Sequence, residues 1–206
     1  LIQHIIKQRY FEEEISNEVN LSYSDNQVTV TTDYLTLVYT LNSEGYASQC
    51  VYSLSSQNRI YQFSYSAEGY LTGIVENIDD TEYSSTSLTY ENGDITSVSS
   101  KMNGLENKFI YEPGEESSTY HLPCLGLLEI HPLTFHIEAL YAGLLGKDPR
   151  HFTMHSCPAG SNDEKTVYSY GFDKKGNPSR MICQTTYAGG QASYYPYTRN
   201  ISVSFE

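Results

Sequence analysis

Histidine has the widest chemical repertoire of any residue in this chain. Five of the six histidines, His121, His131, His136, His151 and His155, crowd into one stretch together with Cys124 and Cys157. Imidazole and thiolate are the usual nitrogen and sulfur ligands of zinc, and His151 and His155 stand four residues apart, which on a helix would set both on one face. The neighbouring residues argue against such a site. Pro149 and the run Phe152-Thr153-Met154 read as loop or strand, and no carboxylate completes an H-E-x-x-H pattern. Ordinary loop histidines are expected, with no metal and no other cofactor.

Carboxylate pairs occur at Asp79-Asp80 and Glu115-Glu116. Two carboxylates can hydrolyse a glycoside when they flank the sugar from opposite sides. These are adjacent in sequence and sit in turns, so solvated charge is the better account, and they do not fit the spacing of a calcium loop. The chain holds no G-x-S-x-G elbow, phosphate-binding loop or dinucleotide fingerprint. No catalytic residue is assigned. The candidate ligand-binding residues are Tyr194, Tyr195 and Tyr197, in the run Tyr194-Tyr195-Pro196-Tyr197 after Gly189-Gly190. An exposed aromatic platform there would suit a sugar or a peptide. Two observations weigh against it: sugar platforms favour Trp, of which there is none, and sheet tyrosines usually pack across strands.

The elements that must position these groups show in a pattern that occurs four times. It runs Tyr39-x-Leu41…Gly45-x-Ala47-x-x-Cys50, Phe63-x-Tyr65…Gly69-x-Leu71-x-x-Ile74, Leu88-x-Tyr90…Gly93-x-Ile95-x-x-Val98 and Tyr170-x-Phe172…Gly176-x-Pro178-x-x-Met181. Alternating apolar positions, a polar turn with Gly and a second apolar stretch spell a β-hairpin. Gly45, Gly69 and Gly93 follow one another at intervals of 24 residues, the mark of hairpins laid side by side. Ser24-Asp25-Asn26-Gln27 supplies a further turn between Tyr23 and Val28. Residues 1–14 read as a long edge strand, with Glu12-Glu13-Glu14 guarding the edge. Residues 122–160 break the pattern. Leu133, Ile137, Leu140, Tyr141 and Leu144 make one apolar helix face between Pro132 and Gly146, which predicts an amphipathic helix near 132–145 packed on the sheet.

The fold expected is mainly β: a large curled antiparallel meander of serial hairpins, half-barrel or barrel-like, with that one short helix. It forms a single domain over 1–206, with 122–160 as the helix-bearing insertion. The 20 Tyr and 7 Phe argue against disorder, and the net charge of −13 opposes both nucleic acid and anionic lipid surfaces. No apolar run is long enough for a transmembrane helix. Cys50, Cys124, Cys157 and Cys183 allow three full pairings, and a Cys124–Cys157 bridge would staple the insertion. The chain starts at Leu1 rather than Met, which is expected of a sequence whose targeting segment has been cut away.

The Tyr-x-Φ-turn-Gly-x-Φ unit resembles the Tyr-Asp hairpin repeats of bacterial Rhs-type surface proteins, with Asp173 at the turn. The serial Gly hairpins, followed by His136-Ile-Glu-Ala-Leu-Tyr-Ala-Gly-Leu-Leu-Gly-Lys147 and Asp148-Pro149, are more closely similar to an uncharacterised family of exported proteins. These come from gut Bacteroidetes, are often lipoproteins, and are described as having a porin-like fold. The resemblance implies export to the periplasm or outer cell surface, a lipid anchor in the full-length precursor, and no catalytic residue. The function expected is a non-enzymatic envelope module that binds a glycan or another envelope protein. Its alternative is a glycan-binding or glycan-processing protein that uses exposed tyrosines.

Overall fold

The computed structural model describes residues 2–10, 13–32, 35–54, 57–117, 127, 130–161, 164–172, 174, 178–187 and 197–205. Among these the chain forms fourteen strands: β1 (Ile2–Tyr10), β2 (Glu13–Ser24), β3 (Gln27–Thr31), β4 (Thr36–Leu41), β5 (Ala47–Leu54), β6 (Gln57–Tyr65) and β7 (Leu71–Ile78), then β8 (Thr81–Glu91), β9 (Asp94–Met102), β10 (Leu105–Ser117), β11 (His151–Pro158), β12 (Glu164–Phe172), β13 (Pro178–Tyr187) and β14 (Tyr197–Phe205). Each pairs antiparallel with its neighbour in sequence, and β1 pairs with β14 as well as with β2. The strand order thus returns to its start as a closed barrel.

The turns form where their residue types demand. Asn92 and Gly93 take φ of 52° and 89°, Asp79 and Asp80 take 47° and 65°, and Asn103 and Gly104 take 51° and 78°. Left-handed pairs of this kind twist with the flanking strands and make tight hairpins. The longer Gly45 and Gly69 turns are held differently. The Asn42 side chain accepts from the N–H groups of Glu44 and Tyr46, and the Ser66 hydroxyl accepts from that of Tyr70.

One face of the wall carries the core. Across successive strands the paired inward residues include Val30 with Leu37, Phe63 with Ile74, and Leu88 with Val98, all buried. The paired outward rows are mixed: Val38, Val51 and Ile60 form an apolar one, and two others are mostly polar. One runs Thr40, Gln49, Gln62, Val75, Ser85 and Lys101, and another Ser64, Gly73, Ser87 and Ser99. A lipid-spanning barrel needs an apolar outer band with a polar lumen. No helix among the described residues is long and apolar enough to cross a membrane.

The described part of the segment between β10 and β11, residues 127 and 130–150, packs into the interior. Its Leu133, Ile137, Leu140, Tyr141 and Leu144 are all buried, in the same core as the inward residues of the wall. The helix predicted near 132–145 is there in shortened form: a 3-10 turn (Leu133–Phe135), then α1 (Ile137–Tyr141). His136 separates the two with φ −125° and ψ 31°, and Gly143 at φ +69° ends α1 before Gly146 is reached. The apolar spacing foretold which side chains are buried, but contacts with the wall interrupt the helical backbone.

Two further expectations are corrected. Residues 1–14 are not an edge: β1 has a partner on both sides, and Glu13 and Glu14 of β2 pair with Tyr10 and Arg9. Strand β11 lies within 122–160, so the true break in the meander ends at 150. β10 runs on to Ser117 through register shifts at Pro113, where a residue lacking N–H sits in the ladder.

The segment leaves the interior across one rim, and the repeat glycines explain how. Ala47 N–H donates to Leu144 O, Lys147 N–H to Gly69 O, and Arg150 N–H to Gly93 O, at 2.7, 2.9 and 3.0 Å. Successive hairpins are two strand spacings apart, about 9.6 Å, and three extended residues reach about 10 Å. Positions 144, 147 and 150 therefore meet successive hairpins in step. Gly146, at φ +87°, lies so close that an added Cβ would stand 2.6 Å from Gly69 O and 3.0 Å from the Tyr65 ring. Gly45, at φ +83°, has nothing within 4 Å. Both would feel the backbone cost of alanine, roughly 1–2 kcal/mol, but Gly146→Ala adds overpacking worth roughly 1–3 kcal/mol more. Urea unfolding should therefore show Gly146→Ala clearly less stable than Gly45→Ala.

Candidate functional site

The structure separates the histidines that the sequence clusters. His151 faces Asp94, with Nδ1 3.0 Å from Oδ2, and His155 faces Glu112 at 3.1 Å. His131 and His136 lie in the barrel interior on different partners. Among the described residues no group of three His, Cys, Asp or Glu could hold a metal ion. Cys50 is a buried free thiol that burial pushes up to about 12, and Cys157 is a half-buried free thiol. Asp79-Asp80 is the exposed β7–β8 turn. His121, Cys124, Tyr194 and Tyr195 lie outside the described residues, as do the side chains of Cys183 and Tyr197.

What the sequence did not reveal is a row of inward polar residues in register across the wall. Tyr39 pairs with Cys50, Cys50 with Tyr61, Tyr61 with Glu76, and Glu76 with Ser84. The two interior histidines sit on this row. The Tyr39 hydroxyl and His136 Nδ1 are 2.8 Å apart. Rings of Tyr61, Phe63 and Tyr39 box the imidazole edge-to-face, with centroids at 4.4, 5.3 and 5.8 Å. Farther along, Glu76 is wholly buried. Its Oε1 accepts from Arg59 Nη1 at 3.0 Å and from the Tyr61 hydroxyl at 3.2 Å. Its Oε2 accepts from Ser84 Oγ at 2.8 Å and from His131 Nε2 at 3.1 Å. Thr86 Oγ1 donates to the His131 carbonyl, so the start of the interior segment is pinned here. Glu76 is thus matched by four partners, which is how a buried charge is tolerated, whereas His136 Nε2 has no hydrogen-bond partner among the described residues.

The second feature is a gap in the wall. Strands β11 and β12 pair only through His155 with Val167 and Ser156 with Thr166. Beyond that point they part, leaving a cleft of about 450 Å³. Phe152, Tyr168 and Tyr170 supply its aromatic lining, and Phe152 packs 4.8 Å from Tyr170 and 5.9 Å from Phe172. Gly114, Glu115, Thr153, Met154 and Ser169 complete the described lining. Gly114 allows β10 to come close, since a Cβ there would lie 3.3 Å from Phe152 O. The Tyr168 hydroxyl meets Ser156 Oγ at 2.9 Å, and Tyr170 donates to Thr153 O at 2.7 Å, a bond across the gap. No motif announces this cleft. Its one sequence signal is the Pro113-Gly114 pair within an otherwise regular strand pattern.

Two consequences of the polar row can be measured. Burial pushes the Glu76 carboxyl up, but the hydrogen bonds from His131, Ser84 and Tyr61 outweigh it and hold the group below its usual 4.5. Its stabilisation is complete above that value and is lost as the pH falls through the lowered one. Glu76→Gln should cost on the order of 1–3 kcal/mol at neutral pH, with the gap to wild type narrowing in acid. His136 is driven by burial from 6.5 down to about 3. Between those values the unfolded chain takes up a proton that the folded chain refuses, so stability falls with the pH by up to about 1.4 kcal/mol per unit. Urea titrations at several pH values should show this slope reduced in His136→Gln.

The barrel with a filled interior has known counterparts. A family model described as a domain of unknown function (DUF4595) with porin-like fold matches residues 1–180. Among solved structures, the crystal structure of a porin-like protein from Bacteroides uniformis ATCC 8492 is similar, with a TM-score of 0.81 and 26% sequence identity. That similarity covers 99% of this chain and 86% of that one. No curated protein matches the chain. The family match runs from β1 through the interior segment and its rim crossing into β13, and the chain belongs to the DUF4595 family, domains of unknown function with porin-like fold.

Proposed function

We propose that this chain is a non-enzymatic binding module of the cell envelope that takes its ligand in the cleft between β11 and β12. The observation that carries this reading is the cleft itself. Its volume of about 450 Å³ lies within the usual range for ligand sites, roughly 300–1,000 Å³, and it joins aromatic surface to a few polar groups. The polar row supports a binding role rather than a catalytic one. Its carboxylate and hydroxyl groups are bonded to each other and to the interior segment, as in a structural network. Two mostly polar outward rows favour a barrel bathed in water rather than lipid, with Val38, Val51 and Ile60 the apolar exception. The envelope location, export and lipid anchor rest on the likeness to exported Bacteroidetes proteins.

A second reading, glycan binding, draws on the same aromatic lining and on Tyr194, Tyr195 and Tyr197. A glycan array comparing wild type with Tyr195→Ala and Tyr170→Leu tests it, and the absence of any glycan signal removes it.

The main reading is tested by thermal-shift screening of metabolites, glycans and short peptides against wild type and Ser169→Trp. The larger ring fills the cleft from an exposed position. At least one ligand should stabilise wild type by several degrees and leave Ser169→Trp unmoved, with no turnover of that ligand. Turnover abolished by a point substitution in the polar row would overturn the non-enzymatic assignment. Location is checked by fractionating cells that make the full-length precursor, where the chain should partition with the envelope.

A further inference from the structure

We propose that the β11–β12 cleft is selective for a small organic cation of the quaternary-ammonium class. The inference deepens the binding role proposed above and rests on it. Aromatic surface and a single carboxylate meet at this one cleft, among the described residues. Tyr168 and Tyr170 present rings, while their hydroxyls are engaged with Ser156 and with the Thr153 carbonyl. A quaternary ammonium makes no hydrogen bond at its charged centre. It needs aromatic surface and a negative charge, at about 0.5–2 kcal/mol for each cation–ring contact. The ring of Tyr170 is half-buried and packs against Phe152, which is buried at 3% exposure. Glu115 is the charged side chain of the described lining, and it is exposed at the same cleft. The field of the whole chain points the same way, since a net charge of −13 concentrates cations near the surface.

Phe152 is a core residue and a poor probe, so the test falls on Glu115 and Tyr170. Choline is titrated into the intact chain by calorimetry, beside its uncharged isostere in which carbon replaces the nitrogen. Choline should bind and the isostere should not. Glu115→Gln should weaken binding about 3- to 5-fold, in line with an exposed charge pair of up to ~1 kcal/mol. Tyr170→Leu should weaken it about tenfold, and Tyr170→Phe, which keeps the ring but loses the bond to Thr153 O, should weaken it clearly less. Added salt should weaken choline binding. Sedimentation with phosphatidylcholine vesicles separates the sources of this chemistry: co-sedimentation that depends on Glu115 assigns a lipid headgroup, and binding of free choline alone assigns a soluble ligand.

Equal binding of the isostere, or choline binding indifferent to both Glu115→Gln and Tyr170→Leu, overturns the cation assignment. A neutral ligand that Ser169→Trp displaces, with no choline binding, also overturns it but leaves the binding role standing. If no compound distinguishes wild type from Ser169→Trp, both fall.

Discussion

The volume inside a fourteen-strand wall governs the rest of the structure. Barrel diameter grows with strand number, and roughly eight strands is the size at which inward side chains fill the lumen unaided. A wider barrel needs either water or additional protein within it. This chain uses protein: the segment between β10 and β11 brings Leu133, Ile137, Leu140 and Leu144 into the core. The polar row and the rim crossing then follow as the means of holding that filling in place. One tethers it part-way down the wall through His131 and Glu76. The other tethers it at the end through Leu144, Lys147 and Arg150.

The outward and inward faces of the wall carry different side chains. The strand order is that of a closed barrel; its outer rows hold serine, threonine and glutamine beside the apolar Val38, Val51 and Ile60, and the inner face holds valine, leucine and aromatic rings. A porin-like path of the chain is thus combined with a packed apolar interior. The same packing explains why the interior carboxylate has so many partners. A lumen full of water would solvate Glu76, whereas a packed one must supply its hydrogen bonds from side chains.

Local chemistry was legible in the sequence, and long-range registry was not. Asn92-Gly93 and the Gly45 and Gly69 turns could be read because each specifies its own backbone within four residues. The burial of Leu133, Ile137, Leu140, Tyr141 and Leu144 was readable from helical spacing, though the helix itself shrank where His136 turns to Tyr39. Tyr39, Cys50, Tyr61, Glu76 and Ser84 were invisible as a set. Their alignment depends on loop lengths and bulges added over several hairpins, and no short window contains more than one of them. The cleft was hidden for a related reason: it is a place where two strands fail to pair, and strand-forming sequence looks the same with or without a partner. The edge-strand reading of residues 1–14 failed because pairing between the two ends of a chain leaves no local mark.

The rim crossing works as a vernier. One scale is graduated in hairpins and the other in triplets of residues, and the two agree at Leu144, Lys147 and Arg150. A relative that gains or loses a hairpin in this part of the wall must change the crossing segment by three residues to stay in step. A change of one or two would leave every later turn facing the wrong backbone group. Strand number and segment length are therefore bound to vary together, and the segment that looks least regular in the sequence keeps count of the repeat.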